Sequence, residues 1–239
     1  MLHKSNCQLK HLLLTFLFIV CAVNVSHSQE YMYQRGLATL SMGVAIPAYD
    51  FGSGSGINLT SHVKPGTNIT GEIAYFYSWH VGLGVMFNYS VNPIDNNRLA
   101  EGYMNSSPAF KTVTAETEPF RDISGLAGFI FDIPPNEYFS FTFKLMGGLR
   151  NVYKPTTLVK TTTLFSSIDY YETHDNKTVF AFLTSMGARV IVNDHFNVHV
   201  TASYIGSTIN FEYYRNHKEI TQKAHVGVLT ILGGVSYSF

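Results

Sequence analysis

Residues able to do chemistry are few in this chain. His199 and Ser203, with Thr201 between them and Glu212 beyond, are the best candidates for a base, a hydroxyl and a carboxylate acting together. A general base must reach its nucleophile's proton at hydrogen-bond distance. On a strand, residues four apart are separated by roughly 13 Å, at about 3.3 Å per residue. That is too far for His199 to activate Ser203, and Thr201 is nearer but a poor match. Ten His are present, three of them (His3, His11, His27) within the first 28 residues. The others stand singly, without the HxH or HExxH spacing of a zinc site, and read as polar rim and loop residues. The sequence therefore predicts no enzyme, no catalytic residue, no metal and no cofactor. The remaining chemistry is ionic. Glu72, Asp122, Lys144, Arg150 and Arg189 lie within otherwise weakly charged segments. They could pair with one another or line a gated ion path, and pairing is the expectation.

The elements that must hold these residues follow from composition and period. The chain has 239 residues, of which 13% are charged, against about 25% in a typical soluble domain. Aromatics reach 14%, with 18 Phe and 15 Tyr. A chain this apolar is not disordered. Two Cys exclude a disulfide-stapled scaffold and a paired-Cys zinc site, and 16 basic against 16 acidic residues exclude a nucleic-acid footprint.

Residues 1–28 read as a cleaved secretory signal peptide. Lys4 and Lys10 form a basic start, Leu12 to Val23 a short apolar run, and Ser26-His27-Ser28 a small-residue cleavage site. The run is about 12 residues, and a spanning helix needs roughly 20. Cleavage removes both Cys and two Lys, so the mature chain has no disulfide and carries 14 basic and 16 acidic residues, a net charge of −2.

Period two dominates the remainder, residues 29–239. Phe139, Phe141, Phe143, Leu145 and Leu149 share one face, and Ser140, Thr142, Lys144, Gly148 and Arg150 the other. Eight such segments are predicted, at about 36–47, 67–78, 80–92, 120–133, 137–151, 177–192, 195–209 and 224–239. Tight turns at Ser78-Trp79-His80, Pro134-Pro135-Asn136 and Asn193-Asp194-His195 alternate with four long loops, 48–66, 93–119, 152–176 and 210–223. Short turns on one side and long loops on the other are the asymmetry of an outer-membrane barrel. Eight strands also bring the two chain ends together, so the sheet can close without an edge.

The faces favour a membrane over water. One face of every segment is apolar and free of charge, while the five ionic residues share the other face with Gly, Ser and Thr. A Lys or Arg facing lipid at the bilayer midplane costs about 2–4 kcal/mol. Leu126, Ile130, Val226, Val228 and Leu232 also fall on the inward parity, which predicts either an apolar plug or a bulge that shifts the register.

The chain ends Gly233-Gly234-Val235-Ser236-Tyr237-Ser238-Phe239. A terminal Phe, with Tyr237 two residues earlier and Gly234 three before that, resembles the carboxy-terminal signal read by the barrel assembly machinery. Leu232 stands where that signal usually carries a polar residue. The whole chain after residue 28 resembles the small eight-stranded outer-membrane barrels of the OmpA-barrel and OmpX type. The stretch Ser41 to Pro47, followed by Asp50-Phe51-Gly52, resembles the first strand and loop of such barrels from Bacteroidota.

The resemblance implies an all-β, antiparallel, up-and-down transmembrane barrel in a Gram-negative outer membrane, in contact with lipid and lipopolysaccharide. It implies an assembly signal at Gly234, Tyr237 and Phe239, and a narrow, porin-like bore without a wide channel. The family includes adhesins, membrane-stabilising proteins and lipid A-modifying enzymes, the last using a Ser-His pair with a carboxylate. Fold alone does not choose among them. Three functions stay open: surface binding or envelope stabilisation through the loops with an unknown extracellular partner, a scaffold in a secretion or envelope complex, and, least favoured, lipid modification.

Overall fold

A computed structural model describes residues 35–48, 51, 62–108, 110–163, 167–172, 175–215 and 218–239. The predicted signal peptide lies outside the described residues. Eight strands close into an antiparallel barrel: β1 (Gly36–Ala48), β2 (Gly66–Phe76), β3 (Val81–Asn92), β5 (Phe120–Asn136), β6 (Phe139–Lys154), β9 (Asp175–Ile191), β10 (Phe196–Arg215) and β11 (Lys218–Ser238). The remaining elements are α1 (Asn96–Ser106), β4 (Phe110–Thr117), β7 (Thr157–Thr163) and β8 (Ser167–Glu172).

Register fixes the width of the barrel. One circuit runs Pro47, Val228, Ile205, Leu183, Met146, Gly128, Gly84, Ala74 and back to Leu37. It returns to β1 ten residues from where it began, 47 against 37. Strand number and stagger together set tilt and diameter, and eight strands leave an interior that side chains fill. The ends of β1 and β11 are joined by Gly36 and Phe239, which exchange both backbone hydrogen bonds at 2.7 and 2.9 Å.

The predicted turn at Pro134-Pro135-Asn136 is displaced. β5 runs on to Asn136 and the chain turns at Glu137–Tyr138. The ladder with β6 breaks between Ile133 and Asn136. Proline has no N–H for a ladder, and a bulge is where a sheet accepts it.

The long loops differ more. Residues 93–119 and 152–176 were expected as loops, yet they contain α1 and a second sheet of order β4-β7-β8. Only two residues separate β4 from β5, β6 from β7, and β8 from β9. The outer sheet therefore repeats, strand for strand, the barrel order β5-β6-β9. Alternation in the Thr-rich stretch 157–163 explains it: Thr157, Val159 and Thr161 are buried while Lys160 and Thr162 are exposed. Residues 210–223, also expected as a loop, continue the β10–β11 hairpin, which stays in register out to Arg215 and Lys218.

Candidate functional site

Among the described residues, the bore holds three ion pairs. Lys144 on β6 donates to both carboxylate oxygens of Glu72 on β2, at 2.6 and 2.8 Å. Arg150 lies next to Asp122, with Nη2 2.9 Å from Oδ2, and Nη1 also donates to the Val226 carbonyl and the Ser207 hydroxyl. Arg189 donates from Nη2 to Asp132 at 2.5 Å and from Nε to Ser140. The five residues expected in the interior are thus spread over three separate pairs, and Asp132 completes the set. Asp132 shares its parity on β5 with Asp122 and Ile130, so the alternation that turned Asp122 inward also carried this residue.

His199 is inside as well. Its Nε2 lies 2.8 Å from Ser41 Oγ and its Nδ1 3.0 Å from Ser236 Oγ. Ser203 instead donates to Ser185 at 3.0 Å. Both imidazole nitrogens of His199 are engaged, neither of them with Ser203. A further polar cluster joins Asn68 to Asn88, Ser90 and Thr70. In mid-bore, between Glu72, Lys144, Ser203 and Leu232, the free space is about 10 Å³, about enough for one water molecule. The interior is packed, as eight strands require.

At the loop end the bore is closed by an apolar plug. Ala45, Phe120, Val152, Ile209, Val226 and Val228 line the barrel rim, and Phe51, Val63, Ile94 and Leu99 descend onto them from the connections. Phe51 meets Phe120 edge to face with ring centroids 5.2 Å apart. Of the two readings open for Val226 and Val228, the plug is the one observed. Leu126, Ile130 and Leu232 are buried deeper in the bore. Polar clamps hold the plug in place. Asn92 donates to the carbonyls of Ala45 and Lys64, and Asp95 caps α1 through the Arg98 N–H while contacting Lys64 at 3.0 Å.

The outer face of the barrel strands is the reverse of the bore. Leu40 and Met42 on β1, Ile73 on β2, Phe87 on β3, Leu149 on β6, Phe180 on β9, and Val200 on β10 point away from the interior, and each is at least half exposed. Large apolar side chains project from all eight strands, far more than a soluble surface carries. No family model matches the sequence, and no curated protein matches it in a sequence comparison. Among solved structures, the chain resembles Neisserial surface protein A with a TM-score of 0.50 at 11% identity, covering 85% of this chain and 97% of the other. It also matches the outer membrane protein AlkL (TM-score 0.44, 15% identity, 90% and 94% coverage). A third match is Ail, the attachment invasion locus protein of Yersinia pestis (TM-score 0.40, 15% identity, 86% and 99% coverage). The fold is that of the small eight-stranded outer-membrane barrels.

This barrel carries aromatics at its turn-side rim. Trp79, Tyr77, Tyr138 and Phe196 are exposed there, and Tyr237 stacks between His195 and Phe239. Tyr and Trp prefer the membrane–water boundary. At the other rim the described residues beyond the bilayer form folded elements, α1 and the outer sheet, seated on the plug.

Proposed function

We propose that this chain is a non-enzymatic outer-membrane protein that binds an extracellular partner through the folded elements outside the membrane. The observation that carries the reading is the plug. Leu99, Ile94, Val63 and Phe51 tie the connections to the barrel rim, so the outer elements stand on a rigid base. Binding residues are commonly placed on loops held by such a scaffold. The packed bore supports a role that needs no transport, and the engagement of His199 by Ser41 and Ser236 argues against lipid A hydrolysis at that residue.

In this reading residues 1–28 are a signal peptide that directs export. Gly234, Tyr237 and Phe239 form the signal for the barrel assembly machinery, and lipid and lipopolysaccharide surround the apolar band. The test is gentle purification from outer membranes, with co-purifying proteins identified by mass spectrometry, beside a version with the four connections shortened. A partner lost with the connections supports surface binding. A partner kept by the shortened barrel overturns it in favour of a scaffold role.

A further inference from the structure

Arg121 is a cation on the lipid-facing side of the barrel. It is the second residue of β5 and is exposed, with the outward parity of Ile123, Ala127 and Phe129. The outer faces were expected to be free of charge, and Arg121 is an exception. Its surroundings on the wall are uncharged. The outward positions nearest to it are Val91, Tyr89 and Phe87 on β3 and Tyr153, Asn151 and Leu149 on β6. Asp122, the next residue in the chain, is turned inward onto Arg150. Among the described residues no carboxylate pairs with Arg121.

Height sets Arg121 at a headgroup. Phe131 lies on the same face at the turn side, opposite Val81 at the start of β3. The ten residues from Phe131 to Arg121 cover about 33 Å along the strand, at about 3.3 Å each. A tilt of about 40° reduces that to a rise of about 25 Å. The apolar band of an outer-membrane barrel is about 25 Å tall. Arg121 therefore stands at the outer boundary of the band, where lipid tails end and headgroups begin.

The neighbours of Arg121 favour an anion at that level. Tyr153 is directly opposite on β6, with Cβ atoms about 5 Å apart, and Tyr89 on β3 is a diagonal neighbour at about 7–8 Å. Tyrosine prefers this boundary, and a phenol donates readily to a phosphate oxygen. The guanidinium is a planar fork of donors that matches phosphate and is weakly hydrated. Below it the exposed side chains of Ile123, Phe87 and Leu149 form an apolar surface for acyl chains.

We propose that Arg121, framed by Tyr89 and Tyr153, is a binding site for the phosphate monoester of a lipid headgroup in the outer leaflet. Arg121 holds the phosphate, and the acyl chains run down the wall over Ile123. The site depends on the membrane placement of the barrel and not on the surface-binding reading above.

The test uses the protein in phosphatidylcholine nanodiscs doped with phosphatidic acid, whose headgroup is a bare phosphate monoester. Lipids retained on transfer to mild detergent are identified by native mass spectrometry. The protein is expected to retain phosphatidic acid over phosphatidylcholine by about tenfold, the weight of one hydrogen bond to a charged group. Arg121→Gln is expected to erase the preference, and Arg121→Lys, which keeps the charge without the fork, to restore part of it. Unheated gel mobility shows that each variant is folded. The arginine Nε resonance that disappears in Arg121→Gln is expected to shift when phosphatidic acid is added to the unaltered protein. Equal preference in the unaltered protein and Arg121→Gln, or an unmoved Nε resonance, overturns the site. Displacement of the lipid by inorganic phosphate would assign the contact to free phosphate and overturn the headgroup as its source. The barrel with shortened connections should keep the preference, so this site and surface binding fail separately.

Discussion

Lys144 and Glu72 face each other across the bore, Nζ to Oε2 at 2.6 Å, although β5 and β3 separate their strands in the sheet. One ammonium satisfies both carboxylate oxygens. The pair spans the interior and braces opposite walls of the barrel. Removing one member of a buried pair leaves an uncompensated charge, at a cost of about 3–5 kcal/mol, whereas replacing both by apolar groups is often neutral. Lys144→Met is therefore expected to destabilise the barrel by about that amount, and Lys144→Met with Glu72→Met to regain most of it. Urea unfolding in lipid vesicles, followed by the fluorescence of Trp79, the one tryptophan, measures both. A single variant as stable as the double would refute the argument.

Two glycines make a contrasting pair. A Cβ on Gly128, which faces the bore, would lie 2.1 Å from the Leu145 carbonyl oxygen on the next strand. Backbone cannot yield as a flexible side chain does. A Cβ on Gly71, which faces lipid, would meet nothing within 4 Å. Gly128→Ala is expected to cost at least about 2 kcal/mol through overpacking. Gly71→Ala should be neutral or stabilise by up to about 1 kcal/mol, through the lower chain entropy of alanine. The same unfolding assay separates them, and equal losses would show that close approach of strands does not set glycine's role here.

The barrel was legible because its signal is local. In a strand the period of two assigns each residue a face, so Lys144, Glu72, Asp122, Arg150 and Arg189 could be turned inward from sequence parity alone. Partner choice was not legible. Which cation meets which carboxylate depends on the ten-residue stagger of the closed sheet, and stagger comes from register summed over eight strand pairs. Asp132 went unread although it lay inside the predicted segment 120–133 with the parity of Asp122; only its pairing with Arg189 across the sheet shows its role. The outer sheet was missed for a related reason. Its strands are short, two of them Thr-rich, and each is separated from a barrel strand by two residues, so each looks like loop until its pairing partner is known. Plug residues such as Phe51 and Leu99 are single apolar positions in polar stretches, and only tertiary packing gives them a role.

Acid should loosen α1 before it affects the barrel. Burial opposes ionisation of Asp95. The hydrogen bond from Lys64, the Arg98 backbone N–H and the charges of Lys64 and Arg98 outweigh it and hold the carboxyl below its ordinary value. A depressed folded-state value means that ionised Asp95 stabilises the fold above the ordinary carboxylate range. That contribution fades as pH falls through the folded value. Amide exchange of residues 96–106 is expected to quicken as pH drops below about 4, after correction for the intrinsic rate, while β1–β3 amides do not change. Asp95→Ala should abolish this pH dependence and cost about 1 kcal/mol of local stability through loss of the cap. Retention of the same pH profile in Asp95→Ala would assign it to another group.

The plug predicts that the outer elements can be loosened without opening the barrel. Leu99 is 1% exposed and sits among Phe120, Val152 and Val226, so it joins α1 to the barrel rim. Truncation of a buried leucine to alanine costs about 2–5 kcal/mol, more than a short helix of eleven residues can recover from its own propensity. The barrel strands do not rely on Leu99, because their ladders close independently. Leu99→Ala should therefore make residues 93–119 sensitive to added protease while the protein keeps the gel mobility of a folded, unheated barrel. Loss of folded mobility would mean that the plug belongs to barrel assembly, and that the outer elements are part of the wall.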